Sequence, residues 1–221
     1  FRSDAYRSPY LPNDELIRPL DRPHSTLGGL AILRGNLAPD TGVSKPAAIH
    51  PDVRRFTGKA ICFDSEDACV EAIEARRVHP GHVVVIRYEG PRGGPGMKEL
   101  YKPMKTLYGQ GLARSTAVIT DGRFSGTNNG CFVGHISPEA AAGGPLALVE
   151  DGDEITIDVE QKTLELHVSE EEMARRRAAW RYQPPRLIGY LARYAAMVSS
   201  ADRGGILIPG ETGGMEHETA E

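Results

Sequence analysis

The chain has 221 residues, with 26 Lys and Arg against 30 Asp and Glu, which gives a net charge of −4 at pH 7. This balance argues against binding to a nucleic-acid backbone, which usually requires a clear basic excess. The longest apolar runs are far shorter than the roughly 20 residues that cross a bilayer, so no membrane partner is expected. Three cysteines without CxxC spacing argue against a disulfide framework and favour a cytoplasmic location.

The predicted elements are those of a mixed α/β chain with many sharp turns, in keeping with 25 glycines and 16 prolines. Residues 1–23 carry four prolines and no apolar period, which predicts a linker or an arm, and the abrupt polar start without Met predicts a fragment of a longer protein. Apolar runs of strand length predict strands at 30–33, 59–63, 83–88 and 116–120.

Helices are predicted from caps, apolar spacing and glycine stops at 65–77, between Met97 and Gly109, from Ser137 to Gly143, at 169–180 and at 187–200. At 169–172 a capping box is expected, in which Ser169 accepts from the Glu172 amide and the Glu172 side chain reaches back. Alternating residues over 146–168 predict an antiparallel meander with one buried face.

Three glycine-dense loops follow predicted strands, at residues 35–39, 90–99 and 121–134. Loops at the carboxyl ends of strands usually carry the site of an α/β fold, and glycine lets backbone amides approach an anion closely. Turn formation explains any one of these loops, but three in one chain favour a binding site. None matches a P-loop or the GxGxxG fingerprint, which argues against nucleotide binding.

The third loop carries the most chemistry, because Asp121, Arg123 and Ser125 lie among its glycines. A serine hydroxyl is too weak an acid to act unaided at neutral pH, so a catalytic Ser125 needs a neighbouring base or a metal ion. No histidine has an obvious partner spacing, and the segment is not GxSxG. From the residues alone, a hydrogen-bonding loop serine is the simpler interpretation.

The remaining candidates also have simple structural explanations. His135, beside a predicted helix start, is more often a structural hydrogen-bonding residue than a ligand. Glu99 follows the second loop and can cap a helix or bind a hard cation, since Mg²⁺ prefers carboxylate oxygen; capping is favoured. Cys62, Cys69 and Cys131 lie within or beside apolar segments, which favours small buried hydrophobic residues.

Eight short motifs follow one another along the chain: IRP at 17–19, GGLA at 28–31, GNLAP at 35–39, GPRGGPGM at 90–97, TDGRFSG at 120–126, GHISPEA at 134–140, GGP at 143–145 and VEDGD at 149–153. In this order they closely resemble the carboxy-terminal part of the dihydroxy-acid dehydratase / phosphogluconate dehydratase family. The resemblance implies an α/β fold, a mixed β-barrel-like swivelling domain flanked by helices, over residues 24–205, with a flexible tail at 206–221.

The resemblance also implies chemistry: a hydro-lyase that removes water from a 2,3-dihydroxy carboxylic acid and gives a 2-keto acid. It implies that Ser125 is the base for the C2 proton, that Glu99 ligates Mg²⁺, and that Arg123, Asn128 and Gly94 bind the substrate. The family also uses an iron–sulfur cluster, of 2Fe-2S or 4Fe-4S type. Its cluster cysteines belong to an amino-terminal domain, so we expect that domain of the same protein as a partner, no cluster and no activity in the isolated chain, and a homodimer at full length.

The substrate is less closely defined. Phe124 and the GHISPEA motif resemble the dihydroxy-acid branch, which implies 2,3-dihydroxy-isovalerate and its homologue in branched-chain amino-acid synthesis. An aldonate dehydratase of the same family is the alternative, because its motifs are nearly the same and residues 127–131 depart from the family's small Gly/Thr/Ser run. A non-catalytic cap that only recognises a carboxylate anion is a further alternative.

Overall fold

The computed structural model describes residues 16–25, 28–125 and 129–208. Its strands are β1 (Ala31–Gly35), β2 (Ala38–Ser44), β3 (Arg55–Phe63), β4 (His82–Ile86), β5 (Ala117–Thr120), β6 (Cys131–Ser137), β7 (Glu154–Asp158) and β8 (Thr163–Leu166). Its helices are α1 (Glu66–Glu74), α2 (Tyr101–Gly109), α3 (Glu170–Ala179) and α4 (Gly189–Met197).

The strands form one closed barrel in the order β1–β2–β6–β5–β4–β3–β7–β8. The neighbours β3, β4, β5 and β6 are parallel, so their carboxyl ends lie at the same end of the barrel. Antiparallel pairs complete the barrel on both sides, and a single parallel contact between Arg34 and Thr163 joins β1 to β8. The predicted class, a mixed α/β barrel-like domain with helices, is confirmed.

Branched aliphatic side chains fill the core. Fully buried examples from the strands are Leu33, Ile86, Ile119, Ile155, Ile157 and Leu164. Outside the barrel, α1 and α2 pack against each other and bury Ile73 and Leu107. Burial of each such side chain contributes about 1.5–3 kcal/mol, so the barrel wall is a stable support for the loops at its ends.

Two strands, β2 and β6, were not predicted, because glycine and polar residues interrupt the apolar pattern by which strands are identified in a sequence. β2 contains Pro39 and Gly42, and a Cβ at Gly42 would lie 2.9 Å from Cγ1 of Val133 on β6. The first glycine loop is therefore the turn of the β1–β2 hairpin. Asn36 fixes this turn to β8, since its amide group both donates to the Leu166 carbonyl (2.8 Å) and accepts from the Leu166 amide (2.7 Å).

The helix predicted from Ser137 is wrong. Ser137 is the last residue of β6, a cis peptide bond joins it to Pro138, and only short 3₁₀ turns follow, at Ala140–Ala142 and Pro145–Leu148. The third glycine loop is accordingly shorter than predicted, because β6 begins at Cys131. Gly134 and His135 in the middle of β6 interrupt the apolar run that would have revealed the strand.

The other helices lie where they were predicted, with shorter ends. Ser169 caps α3 by accepting from the Glu172 amide (3.2 Å), but the Glu172 carboxylate pairs with Arg175 and Arg176 rather than reaching back. α4 spans Gly189–Met197 instead of 187–200. Among the described residues, no helix is long and apolar enough to span a bilayer.

The first residues of the predicted tail are paired with the preceding segment. The Ser199 amide donates to the Ile206 carbonyl, and the Ile208 amide donates to the Met197 carbonyl, each at 2.8 Å. Residues 206 and 208 are thus hydrogen-bonded to the preceding segment, and the flexible tail stays a prediction. The tail beyond 208 and the first fifteen residues of the predicted arm lie outside the described residues.

Candidate functional site

Asp121 ties together the loops that leave β4 and β5. Its fully buried carboxylate accepts hydrogen bonds from the amides of Tyr88 (3.1 Å), Glu89 (3.0 Å) and Ala140 (2.9 Å). Burial raises the pKa of Asp121 to about 7, although these amide donors favour the charged form. Asp121 is thus a structural anchor beneath the loops, and its carboxylate faces backbone groups of the protein.

The second glycine loop binds a carboxylate that belongs to the protein itself. The Glu139 carboxylate accepts from the amides of Arg92 (3.0 Å) and Gly93 (2.9 Å). The fit is close, since a Cβ at Gly90 would lie 2.7 Å from Oε2 of Glu139. The amide of Gly94 donates to the Gly90 carbonyl (2.9 Å). The concentration of glycine here therefore serves the packing of Glu139 and the loop's own turn.

Backbone pairing joins the second and third loops. Glu99 and Arg123 form a parallel bridge, and the Leu100 amide donates to the Arg123 carbonyl at 2.9 Å. The Arg123 guanidinium also donates from Nε to the carbonyl of Met97. Glu99 is exposed at this junction, and its bridge partner Arg123 lies two positions before Ser125. The structure thus brings the Glu99 segment next to the segment that carries Arg123 and Ser125.

The segment before Ser125 packs directly on β6. The His135 amide donates to the Gly122 carbonyl (2.7 Å), and the ring of Phe124 contacts that of Phe132 edge-on, with centroids 5.8 Å apart. Ser125 follows at the surface and lines a cavity of about 430 Å³. The other lining residues are Leu30, Val43, Ser44, Lys45, Phe124, Phe132, Gly134 and His135.

His135 is a residue that the sequence did not pair with Ser125. It has a positive φ of 51° inside β6, a conformation uncommon for residues other than glycine. It lines the cavity of Ser125 and also a second cavity of about 290 Å³ that contains Arg123 and Met97. Burial, and secondarily the Arg123 charge, lowers the pKa of His135, so the imidazole is neutral at pH 7.

Lys45 is the other polar residue that the sequence did not single out. It follows β2 and lines the cavity of Ser125. No ion pair to Lys45 is found among the described parts of the chain, whereas Lys59 pairs with Glu154 and Lys98 with Glu66. Lys45 thus contributes a positive charge to the lining of this cavity. A single lysine ahead of a proline gives no signal in the sequence that would identify this role.

Of the other predicted substrate-binding residues, one lines a different cavity and one lies outside the described residues. Gly94 lines a separate cavity of about 440 Å³, together with Tyr88 and Tyr182, whose rings stack at 4.9 Å. Asn128 lies outside the described residues. Ser125, Arg123 and Glu99 therefore form one junction, and Gly94 lies on another side of the second glycine loop.

The cysteines do not fit an iron–sulfur cluster. Cys62, Cys69 and Cys131 lie on β3, α1 and β6, and burial raises the pKa of Cys62 and Cys131 to about 12, whereas cluster ligands are thiolates. Among residues 16–25, 28–125 and 129–208, no three His, Cys, Asp or Glu side chains are grouped to hold a metal. The exposed carboxylate of Glu99 is the type of oxygen ligand that Mg²⁺ prefers.

A family comparison agrees with the motifs and the geometry. The family model described as "Dihydroxy-acid/6-phosphogluconate dehydratase C-terminal" matches residues 15–205 of the chain. This range includes the whole barrel, both loops of the junction and the cavity that Ser125 lines.

Proposed function

The chain belongs to the dihydroxy-acid/6-phosphogluconate dehydratase C-terminal family, and from this premise we propose that it forms part of a hydro-lyase site in which Ser125 is the base. The reaction is the removal of water from a 2,3-dihydroxy carboxylic acid to give a 2-keto acid. The observation that supports this proposal is the cavity itself, since Ser125, Lys45 and His135 all line one space.

The residues of this cavity have distinct tasks. Lys45 binds the substrate carboxylate by charge and holds C2 near Ser125. Ser125 then takes the C2 proton, the C3 hydroxyl departs, and the resulting enol becomes the 2-keto acid. Arg123, whose backbone is fixed by its pairing with Glu99, lies beside the cavity as a second cation for the anionic substrate. The apolar residues of the lining reduce the contact of a bound substrate with water, which strengthens its electrostatic interactions with these groups.

The cofactors are proposed to act from the junction of two domains. Glu99 contributes one carboxylate ligand to Mg²⁺, and an amino-terminal domain of the same protein supplies the remaining ligands and the cysteines of the cluster. When bound, these groups supply Lewis acidity to the substrate oxygens. We further propose that the full-length protein is a homodimer in the cytoplasm, and that the isolated chain is inactive and binds no cluster.

The wall of the cavity favours a branched aliphatic substrate. Leu30, Val43, Phe124 and Phe132 are the large apolar residues of its lining. A dihydroxy acid with a branched alkyl tail buries that tail here, whereas the hydroxyl groups of an aldonate would be buried without partners, which costs free energy. We therefore propose 2,3-dihydroxy-isovalerate and its homologue, in branched-chain amino-acid synthesis, as substrates ahead of sugar acids.

The direct experiment compares Ser125→Ala with Ser115→Ala in the full-length enzyme. Ser115 is a partly buried serine in the turn before β5, where it donates to the Leu112 carbonyl (3.3 Å), so it controls for loss of a hydroxyl. We expect kcat/KM to fall at least about 100-fold in Ser125→Ala and to stay within about threefold in the control. Near-normal turnover of Ser125→Ala would instead identify the chain as a non-catalytic cap that binds a carboxylate.

Assays with both substrate types test the specificity. The full-length enzyme is expected to turn over the branched dihydroxy acid with the higher kcat/KM. Replacement of Phe132 by Ser, which makes the wall polar, is expected to reduce that preference. Dominant turnover of aldonates by the unaltered enzyme would contradict the proposed substrate and leave the role of Ser125 open to the first experiment.

A further inference from the structure

We infer that His135 is a second catalytic residue, which accepts the proton of Ser125 and later delivers it to the departing hydroxyl group. This inference rests on the proposed function, because it concerns the base of the same reaction. His135 would supply the base that Ser125 requires, since a serine hydroxyl needs a neighbouring base to lose its proton near pH 7.

The backbone holds His135 beside the serine segment. Its amide donates to the Gly122 carbonyl (2.7 Å), and the preceding Gly134 lies so close to this segment that an added Cβ would be 3.2 Å from the same carbonyl oxygen. The pairing of β2 with β6 shifts register at this point. His135 has a positive φ of 51°, and such strain persists where surrounding structure imposes it, often at functional sites.

The surroundings keep the imidazole able to accept a proton. The titratable and charged groups that share its two cavities are Lys45, Arg123 and Tyr194, together with the hydroxyl of Ser125. No carboxylate of the described chain lines either cavity beside His135, so no neighbouring anion there stabilises the imidazolium. Burial and Arg123 lower the pKa of His135, which leaves the neutral form in excess at pH 7.

Over one turnover, Ser125 and His135 each regain the protonation state in which they began. The Oγ–H bond of Ser125 breaks and its proton binds to a ring nitrogen of His135. The alkoxide takes the C2 proton, the C2–H electron pair forms the C2=C3 double bond, and the C3–O bond breaks. The imidazolium proton joins the departing hydroxide as water, so both side chains return to their starting forms. The enol takes up a proton at C3 and gives its O–H proton to solvent, which yields the 2-keto acid with no oxidant or reductant required.

The test uses His135→Gly in the full-length enzyme, because glycine adopts a positive φ readily and leaves a space the size of the ring. We expect kcat to fall about 100- to 10,000-fold with little change in KM, and added imidazole to restore part of it. We also expect the acidic limb of the kcat/KM profile, below pH 6.5, to disappear. His79→Gln, in the turn before β4, is the control and is expected to keep full activity.

The outcomes separate this inference from the proposed function. If His135→Gly keeps more than a third of kcat while Ser125→Ala is inactive, His135 is not the proton acceptor and the role of Ser125 stands. If His135→Gly is inactive but imidazole does not restore turnover, and His135→Gln keeps both the activity and the acidic limb, the residue is structural and the inference is wrong. Normal turnover of Ser125→Ala would overturn the proposed function and the inference together.

Discussion

Removal of the Glu139 carboxylate should destabilise the second glycine loop by an amount that the structure defines. Glu139→Ala leaves the amides of Arg92 and Gly93 without their acceptor. An unsatisfied buried donor costs about 1–3 kcal/mol, and since the loop is partly exposed we expect about 2–4 kcal/mol for the pair. Both amides reach Oε2, at 3.0 and 2.9 Å. Glu139→Gln can therefore keep both hydrogen bonds with its single carbonyl oxygen and should lose less than about 1 kcal/mol.

The assay is urea unfolding of this chain at pH 7.5, followed by circular dichroism, with the m-value checked for each variant. Amide hydrogen exchange at Arg92 and Gly93 should accelerate in Glu139→Ala and remain slow in Glu139→Gln. Equal stability of the two variants, or a loss below 0.5 kcal/mol in Glu139→Ala, would refute the conclusion that this loop is built around an internal anion.

Three further predictions concern backbone packing, pH and the thiols. Gly144→Ala should lower the free energy of unfolding in urea by more than about 2 kcal/mol, because its Cβ would lie 1.8 Å from the Pro138 carbonyl oxygen. Gly109→Ala, in open space at the end of α2, is the control and should leave that free energy unchanged or raise it. Thermal unfolding should show stability falling as pH rises from about 4 to about 7, since a raised folded-state pKa at Asp121 favours its protonated form; Asp121→Asn should flatten this slope, and an unchanged slope would contradict the assignment. Because burial raises the pKa of all three cysteine thiols, iodoacetamide at pH 8 should modify them slowly until the chain unfolds, and rapid modification of the native chain would show accessible thiolates.

The sequence predicted those elements whose side chains repeat with a clear period. The β-branched run of β4, the Ser65 cap of α1 and the β7–β8 hairpin are found in the structure. The barrel-like class, which the structure confirms, was implied by the family resemblance rather than by any period. β2 and β6 were missed because the Val133 side chain leaves little room at Gly42 and the Gly122 carbonyl lies close to Gly134, and glycine carries no strand signal. The helix expected at Ser137 failed for a related reason, since a Ser-Pro pair starts helices and also ends strands.

The site could be located from the motifs only in part. Ser125, Arg123 and Glu99 were proposed from the resemblance, and the structure joins their segments through backbone pairing that no local pattern encodes. Lys45 lines the cavity of Ser125 from the end of β2, which is distant in sequence from the serine loop. His135 lines it from β6, a strand that the sequence did not reveal because Gly134 interrupts its apolar run. The glycines of 90–97 were interpreted as a nest for a ligand, but the acid that fills it, Glu139, lies far along the chain.

Transfer of the C2 hydrogen of the substrate is the step that the account assigns to Ser125, so the most direct measurement follows that hydrogen. Full-length enzyme and its Ser125→Ala variant are each given substrate deuterated at C2, and loss of the label is followed by mass spectrometry alongside formation of the 2-keto acid. The account predicts that the unaltered enzyme releases the label with a primary isotope effect on kcat/KM, and that Ser125→Ala neither releases label nor forms product. Continued release of the label by Ser125→Ala would show that another group takes the proton.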